Sequence, residues 1–172
     1  MPFFCVMKEK TKFLTRAALI AAMYAALTFL QNLLVPNSTS MAIQFRASEA
    51  LCVLALFTPA AIPGLSLGCF LYNLLYSGAL PLDMLVGTLA TFLAVGGMYL
   101  TRRFTLRGLP LFQLFLPAVF NAILVGWELT VYIGDIFWIN ALSVFIGEAA
   151  VLLTLGVVLY YAIRDRKLKE FL

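Results

Sequence analysis

Residues 51–76 read LCVLALFTPAAIPGLSLGCFLYNLLY, and this stretch decides how many helices the chain forms. It is apolar throughout, but the segment 57–64 places two prolines and a glycine in its middle. Proline removes a backbone donor and clashes with the preceding helical turn, so a helix usually breaks or kinks there. Two interpretations follow: one kinked membrane span, or two helices joined by a tight turn.

The distribution of basic residues distinguishes the two interpretations. Apart from Arg46, the lysines and arginines fall in three clusters: Lys8, Lys10, Lys12 and Arg16; Arg102, Arg103 and Arg107; Arg164, Arg166, Lys167 and Lys169. Two helices would place all three clusters on one side of a membrane, whereas a single span would separate the first cluster from the others. Since cytoplasmic loops carry the excess of basic residues, the charges favour two helices and place both termini in the cytoplasm.

The composition is that of a membrane protein. Of the 172 residues, 63% are hydrophobic and 12% are charged, whereas a soluble domain is about 45–50% apolar and about 25% charged. A spanning helix needs about 20 mostly apolar residues. We therefore predict an all-α membrane protein with a single domain, residues 1–172, of six transmembrane helices in one bundle.

The helix boundaries are predicted from the apolar runs between polar segments. The helices are expected at 13–35, about 49–57, a third ending at residue 76, 83–101, 110–130 and 138–163. The second is too short to cross a membrane unaided. Neighbouring helices must shelter its ends, because each unsatisfied backbone polar group that is exposed to lipid costs roughly several kcal/mol.

Several functions are excluded by what the sequence lacks. Without histidine, it has no imidazole ligand, no histidine base and no Ser-His-Asp triad. Cys5, Cys52 and Cys69 form no CxxC pair, so neither a metal site nor another cofactor is expected. No P-loop occurs, so the chain is not expected to hydrolyse ATP itself. The net charge of +4 lies in the clusters that flank the helices, which argues against nucleic-acid binding.

Polar residues inside a membrane are functional candidates because their burial is costly. In the six-helix topology they form a polar and aromatic cup that opens to the outside, where we predict that a small molecule binds. The candidate binding residues are Arg46, Glu49, Asn73, Asp83, Asn121, Trp127, Glu128, Trp138, Asn140 and Glu148. Glu148 lies deepest, about 15 Å down its helix, and Asn121 shares a helix face with Glu128.

Several of these residues also have an ordinary structural interpretation. Trp127 and Trp138, with Tyr132, can form an interfacial aromatic belt. Glu148 is the exception, because a lone carboxylate in the apolar middle of a span needs a partner, a proton or a ligand. Arg46 and Glu49 can form a structural ion pair, and Asp83 can cap its helix. Asn73 can form a hydrogen bond between helices.

The first helix carries two ladders of alanines with i, i+4 spacing. They are Ala17, Ala21 and Ala25, and Ala18, Ala22 and Ala26. Small side chains let helix backbones approach closely. Either ladder can serve internal packing, but two adjacent ladders over three turns favour contact with a partner helix.

The chain resembles the QueT family. The resemblance is carried by residues 46–54 (RASEALCVL), 57–65 (FTPAAIPGL) and 68–74 (GCFLYNL), with Asp83, residues 87–91 (GTLAT) and the pair Trp127-Glu128. It implies a substrate-binding (S) component of an energy-coupling factor (ECF) transporter, that is, a transporter subunit without its own ATPase site and not an enzyme. Such a component is a multi-pass protein in the lipid bilayer of a bacterial plasma membrane. It docks, through an alanine-rich first helix, on a transmembrane coupling protein and two ATPases. The implied cargo is a queuosine precursor, a deazaguanine base.

The acidic residues of the cup suit such a cargo. A guanine-like base presents adjacent N–H donors that a carboxylate accepts, and an aminomethyl substituent would add a cation. Three alternatives stay open: an S component for another vitamin-like cargo, a small secondary transporter or channel subunit, and a membrane enzyme. The absence of an inverted repeat argues against a secondary transporter, and the absence of a nucleophile with a base argues against an enzyme.

Overall fold

The computed structural model describes residues 2–36, 45–76, 82–106 and 108–165, with side chains from Glu9 onward. Six helices follow one another: α1 Pro2–Leu34, α2 Ala47–Leu56, α3 Ala61–Leu75, α4 Asp83–Thr101, α5 Leu111–Ile133 and α6 Phe137–Asp165. α2 is a 3-10 helix, and α6 contains a π-helical turn at Leu152–Gly156. The all-α prediction is confirmed for the described residues.

The break in the stretch 51–76 falls where the prolines place it. Residues 57–60 separate α2 from α3, so the prediction of two helices is confirmed. The backbone N–H of Thr58 donates to the carbonyl of Leu54 at 3.0 Å and closes the end of α2. Pro63 lies in the first turn of α3, where a backbone N–H has no helical partner to lose.

Within the described residues, four helices are long and apolar enough to cross a membrane. They are Glu9–Leu34 of α1, and the whole of α4, α5 and α6. α2 and α3 are shorter apolar helices. The 3-10 geometry lengthens α2, because ten residues at a rise of about 2.0 Å span about 20 Å instead of about 15 Å. That all six helices span the membrane stays a prediction.

α2 lies at the centre of the bundle. Its residues from Ser48 to Ala55 are all buried, and it contacts each of the other five helices. This enclosure shelters its backbone from lipid, as its short length requires. The residues on either side of its first turn are thereby placed inside the protein, which explains how Arg46 and Glu49 come to be buried.

Successive helices alternate in direction, so the bundle has two chemically different ends. α1, α3 and α5 finish and α2, α4 and α6 begin at one end, called here the acidic end after Glu49, Asp83 and Glu128. The opposite, basic end carries Lys12, Arg16, Arg102, Arg103 and Arg164. Residues 2 and 165 therefore lie at the same end, and that this end faces the cytoplasm stays a prediction.

The two alanine ladders of α1 lie in different surroundings. The outward ladder is exposed and consists of Ala18, Ala22 and Ala26. The inward ladder is buried or half-buried and consists of Ala17, Ala21 and Ala25. The inward ladder packs on α3, where the missing Cβ atoms of Gly64 and Gly68 would each lie 2.8 Å from an α1 carbonyl oxygen. Internal packing therefore accounts for the inward ladder.

Replacing Gly68 by Ala is expected to destabilise the protein. The new Cβ would come within 2.8 Å of both the Ala21 carbonyl oxygen and Tyr24 Cβ, and overpacking of this kind costs about 1–3 kcal/mol. Gly96→Ala is the matched control, because nothing lies within 4 Å of the missing Cβ of Gly96. Thermal unfolding in detergent should show a lower Tm for Gly68→Ala alone. Equal melting temperatures would contradict the close contact of α1 with α3.

Candidate functional site

Four carboxylates are buried in the part of the bundle that the structure describes. They come from four helices, with Glu49 on α2, Asp83 on α4, Glu128 on α5 and Glu148 on α6. Each of these residues is at most 8% exposed. Removing an ionised carboxylate from water is costly unless a cation, donors or a proton offset the loss. A group of four therefore marks a site with more than a packing role.

Arg46 is the cation of this group. It is 7% exposed and is the one buried basic side chain among the described residues. It interacts electrostatically with all four carboxylates. The structure thus brings together five of the residues that the sequence predicted as a binding site. With one guanidinium for four carboxylates, the group is short of positive charge.

The carboxylates form two neighbouring pairs. Glu128 lies beside Asp83, and Glu148 lies beside Glu49. Asp83 is the first residue of α4, whereas Glu148 lies about 16 Å along α6 at about 1.5 Å per residue. Within the described residues, no three acidic or cysteine side chains converge closely enough to hold a metal ion. The carboxylates therefore lie at different depths, from the start of α4 to about three turns into α6.

Glu49 is held by donors from the protein itself. The Tyr24 hydroxyl donates to Oε1 of Glu49, and the Cys52 thiol donates to Oε2 at 3.2 Å. One turn along α1, Thr28 Oγ1 donates to Ser48 Oγ at 2.7 Å. Both oxygens of Glu49 thus have internal partners. Glu49 accordingly acts as a fixed counter-charge for Arg46 that α1 keeps in position.

Three polar residues of α1 were missed by the sequence interpretation: Tyr24, Thr28 and Gln31. Gln31 Oε1 accepts the backbone N–H of Ala47 at 2.7 Å, and its Nε2 donates to the carbonyl of Phe45. These bonds fix the entry into α2. A signal existed, because positions 24, 28 and 31 share one face of an otherwise apolar helix.

Asn73 connects α3 to the start of α4. Its Nδ2 donates to the backbone carbonyl of Asp83 at 2.8 Å, in agreement with the interhelical-bond interpretation. Gly87 leaves room for this amide, since its missing Cβ would lie 3.1 Å from Nδ2. The Oδ1 atom of Asn73 is buried without a hydrogen-bond partner in the described part of the chain. Asn73 thus joins α3 to α4 through its Nδ2 atom, and its Oδ1 atom remains available as an acceptor.

Glu128 and Glu148 carry most of the unsatisfied oxygens. Both oxygens of the Glu128 carboxylate and Oε2 of Glu148 are buried, and no N–H or O–H group of the described residues donates to them. The carboxyl groups of Glu128 and Asp83 lie within hydrogen-bonding reach of each other. Asn121 is 5% exposed and lies close to the Glu148 carboxyl group. Buried acceptors without a donor are rare in native proteins. A ligand with several N–H groups would satisfy these oxygens.

The other predicted site residues are placed differently. Trp127 and Trp138 are 51% and 76% exposed, so the structure does not bring them together with the carboxylates, and they fit an interfacial belt. Asn140 is buried, and its Nδ2 donates to Thr130 Oγ1 at 3.2 Å. That bond joins α6 to α5, which gives Asn140 a structural role.

The aromatic residues that face inward near Asn73 are tyrosines. Tyr72 is 1% exposed and stacks on Tyr76, with the ring centroids 5.3 Å apart and the planes at 12°. Phe29 of α1 meets the Tyr72 ring edge-on at 4.9 Å. No sequence signal separates these rings from the other aromatic residues of the chain, since only the tertiary packing turns them inward.

A bundle of apolar helices that buries a group of carboxylates is typical of membrane proteins that bind and transport solutes. The model of the QueT transporter family matches residues 14–165, and the chain belongs to this family. It is therefore a membrane transport protein for a small molecule and not an enzyme, and the resemblance drawn from residues 46–74 is confirmed. Comparisons with curated proteins and with solved structures gave no match.

Proposed function

We propose that the chain is the S component of an ECF transporter, a multi-pass protein of a bacterial plasma membrane that captures a queuosine precursor at its outer face. A transmembrane coupling protein and two partner ATPases supply the energy for uptake. The observation that carries this proposal is the buried group of Arg46 and four carboxylates in a chain of the QueT transporter family.

The chemistry of a deazaguanine base matches the unsatisfied atoms of the site. Its pairing edge offers adjacent N–H donors beside a carbonyl oxygen. Glu128 has two unpartnered oxygens among the described residues, enough for two charge-assisted hydrogen bonds. The Arg46 guanidinium has N–H donors and no acceptor, so it suits the carbonyl oxygen of the base. We assign Glu128 to the N–H edge of the base and Glu148 to a donor on its deeper side.

The excess of carboxylates favours a cargo that carries positive charge. A neutral cargo would leave the four carboxylates with the Arg46 guanidinium as their buried cation among the described residues. An aminomethyl substituent on the base would place an ammonium near one of the two carboxylate pairs, where it would offset the repulsion between neighbouring acids. An anionic cargo is disfavoured, because Arg46 is the one buried cation that the described residues offer.

The outward ladder of α1 is the proposed docking face for the coupling protein. Its alanines are exposed, whereas the inward ladder is occupied by α3. Exposed small side chains allow a partner helix to approach the backbone closely. The opposite face of α1 holds Glu49 through Tyr24. One helix therefore connects the proposed docking face with the proposed binding site.

We expect the basic end to face the cytoplasm, as the positive-inside rule requires. A fluorescent protein that folds only in the cytoplasm, fused after Leu172, should fluoresce. A peptide tag inserted at the exposed Asp135, at the acidic end, should bind antibody on intact cells. Antibody access to a tag after Leu172 in intact cells would contradict this orientation and the six-span topology.

Co-purification tests the proposed class of transporter. The tagged chain, expressed in a bacterium that contains ECF modules and extracted in mild detergent, should retain a coupling protein and two ATPases. A secondary transporter would retain none of them. Retention of the ATPases together with a vitamin unrelated to deazaguanine would preserve the S-component assignment and replace the cargo.

A further inference from the structure

We propose that the connection between α4 and α5 forms a binding site for an anionic phospholipid, with Arg103 on the headgroup phosphate. The site is a cleft of about 500 Å³ at the basic end, and its lining residues are Leu100, Thr101, Arg103, Phe104 and Phe112. It lies at the opposite end of the bundle from Glu128 and does not depend on the cargo proposed above.

The lining of the cleft matches the two parts of a lipid. Leu100, Phe104 and Phe112 are 80%, 68% and 56% exposed and lie at the basic end of the bundle, which the proposed topology puts at the membrane surface. Apolar side chains in this position pack on an acyl chain. Arg103 provides the cation at the same cleft, and its guanidinium can bind a phosphate with two parallel hydrogen bonds.

A buried amide holds the cleft in shape. Gln113 of α5 is 0% exposed, and its Nε2 donates to the carbonyl oxygens of Thr101 at 2.5 Å and Phe104 at 2.6 Å. These two bonds attach the backbone before and after Arg103 to α5. A preformed cleft binds without the loss of conformational entropy that a mobile loop would incur.

Two other arginines at the basic end, Arg102 and Arg164, are bound by the protein itself. Arg102 donates to the Tyr99 carbonyl at 2.7 Å and lies 3.7 Å from the centroid of the Tyr99 ring. Arg164 donates to the Gly108 carbonyl at 3.1 Å. Arg103 is exposed and forms no hydrogen bond or ion pair with any described residue. Basic sites at the ends of membrane helices commonly bind anionic headgroups in this way.

Native mass spectrometry of the full chain tests the site. The protein is reconstituted with equal amounts of phosphatidylglycerol and phosphatidylcholine, extracted in mild detergent, and its retained lipids are identified. The wild type should retain phosphatidylglycerol in preference, and Arg103→Gln should lower that preference about fivefold. Lys12→Gln is the control, because it removes a charge at the same end that already lies 3.0 Å from the Glu9 carboxylate.

Three results would overturn the proposal. One is an unchanged preference in Arg103→Gln with an unchanged melting temperature. Another is equal retention of the two lipids by the wild type, which would make the cleft a general lipid surface. The third is release of phosphatidylglycerol by millimolar inorganic phosphate, which would identify a site for a soluble anion. Binding that resists phosphate and depends on Arg103, but not on Lys12, supports the lipid site.

Discussion

Replacing Glu128 by Gln is expected to weaken binding of a deazaguanine base at least tenfold, which is about 1.4 kcal/mol. The substitution keeps the shape of the side chain but turns one acceptor oxygen into an NH₂ donor, which would face the N–H edge of the base. No N–H or O–H group of the described residues donates to the Glu128 oxygens, so the change falls on the ligand and on the contact with the Asp83 carboxyl group. Titration calorimetry with the purified chain measures the effect.

Two comparisons separate recognition from folding. Asp135→Asn removes an exposed carboxylate at the acidic end and should leave the affinity unchanged. Without ligand, the Tm of Glu128→Gln should not fall below that of the wild type, because a neutral amide is less costly to bury than a charge. Unchanged affinity in both Glu128→Gln and Glu148→Gln would remove acidic recognition from the account.

Replacing Ala22 by Trp is expected to abolish transport and to leave cargo binding by the isolated chain intact. Ala22 is the middle residue of the outward ladder, and an indole there would hold a partner helix away from the α1 backbone. Uptake of labelled base by cells measures transport, and titration of the purified chain measures binding. Loss of both activities would indicate misfolding.

The chain offers matched controls for this substitution. Ala150→Trp places the same side chain on an exposed alanine of α6, outside the proposed docking face, and should transport normally. Ala21→Trp, at a residue 3% exposed that packs on Gly68, should fail to fold. Full transport by Trp variants at Ala18, Ala22 and Ala26 would show that the outward ladder is not the docking face.

The helices are predicted well where local signals are strong. The predicted bounds of α4, 83–101, agree with the structure, and the proline-containing segment 57–64 falls at the break between α2 and α3. The predicted start of α1 at residue 13 was too late, because Lys and Glu continue a helix almost as well as Leu. No local signal marks the 3-10 geometry of α2 or the π turn of α6, which pack together through Val53 and Gly156.

The composition of the site was more predictable than its arrangement. All of the predicted binding residues except the two tryptophans are buried. Charged and asparagine side chains are conspicuous in apolar helices, whereas Tyr24, Thr28 and Gln31 were overlooked. Which face a residue occupies depends on the tertiary packing. Helical periodicity cannot tell the inward alanine ladder from the outward one. Nor does it reveal the bond from Tyr24 to Glu49, whose partners lie on different helices.

The small molecule that the protein carries tests the central claim most directly. The tagged chain is purified from the membranes of cells that contain queuosine precursors, washed gently and denatured, and the released compounds are identified by mass spectrometry. We predict a deazaguanine base in stoichiometric amount, and its absence from a Glu128→Gln preparation made in parallel. A stoichiometric compound of another class, or a wild-type chain that retains no base and binds none in titration, would contradict the account.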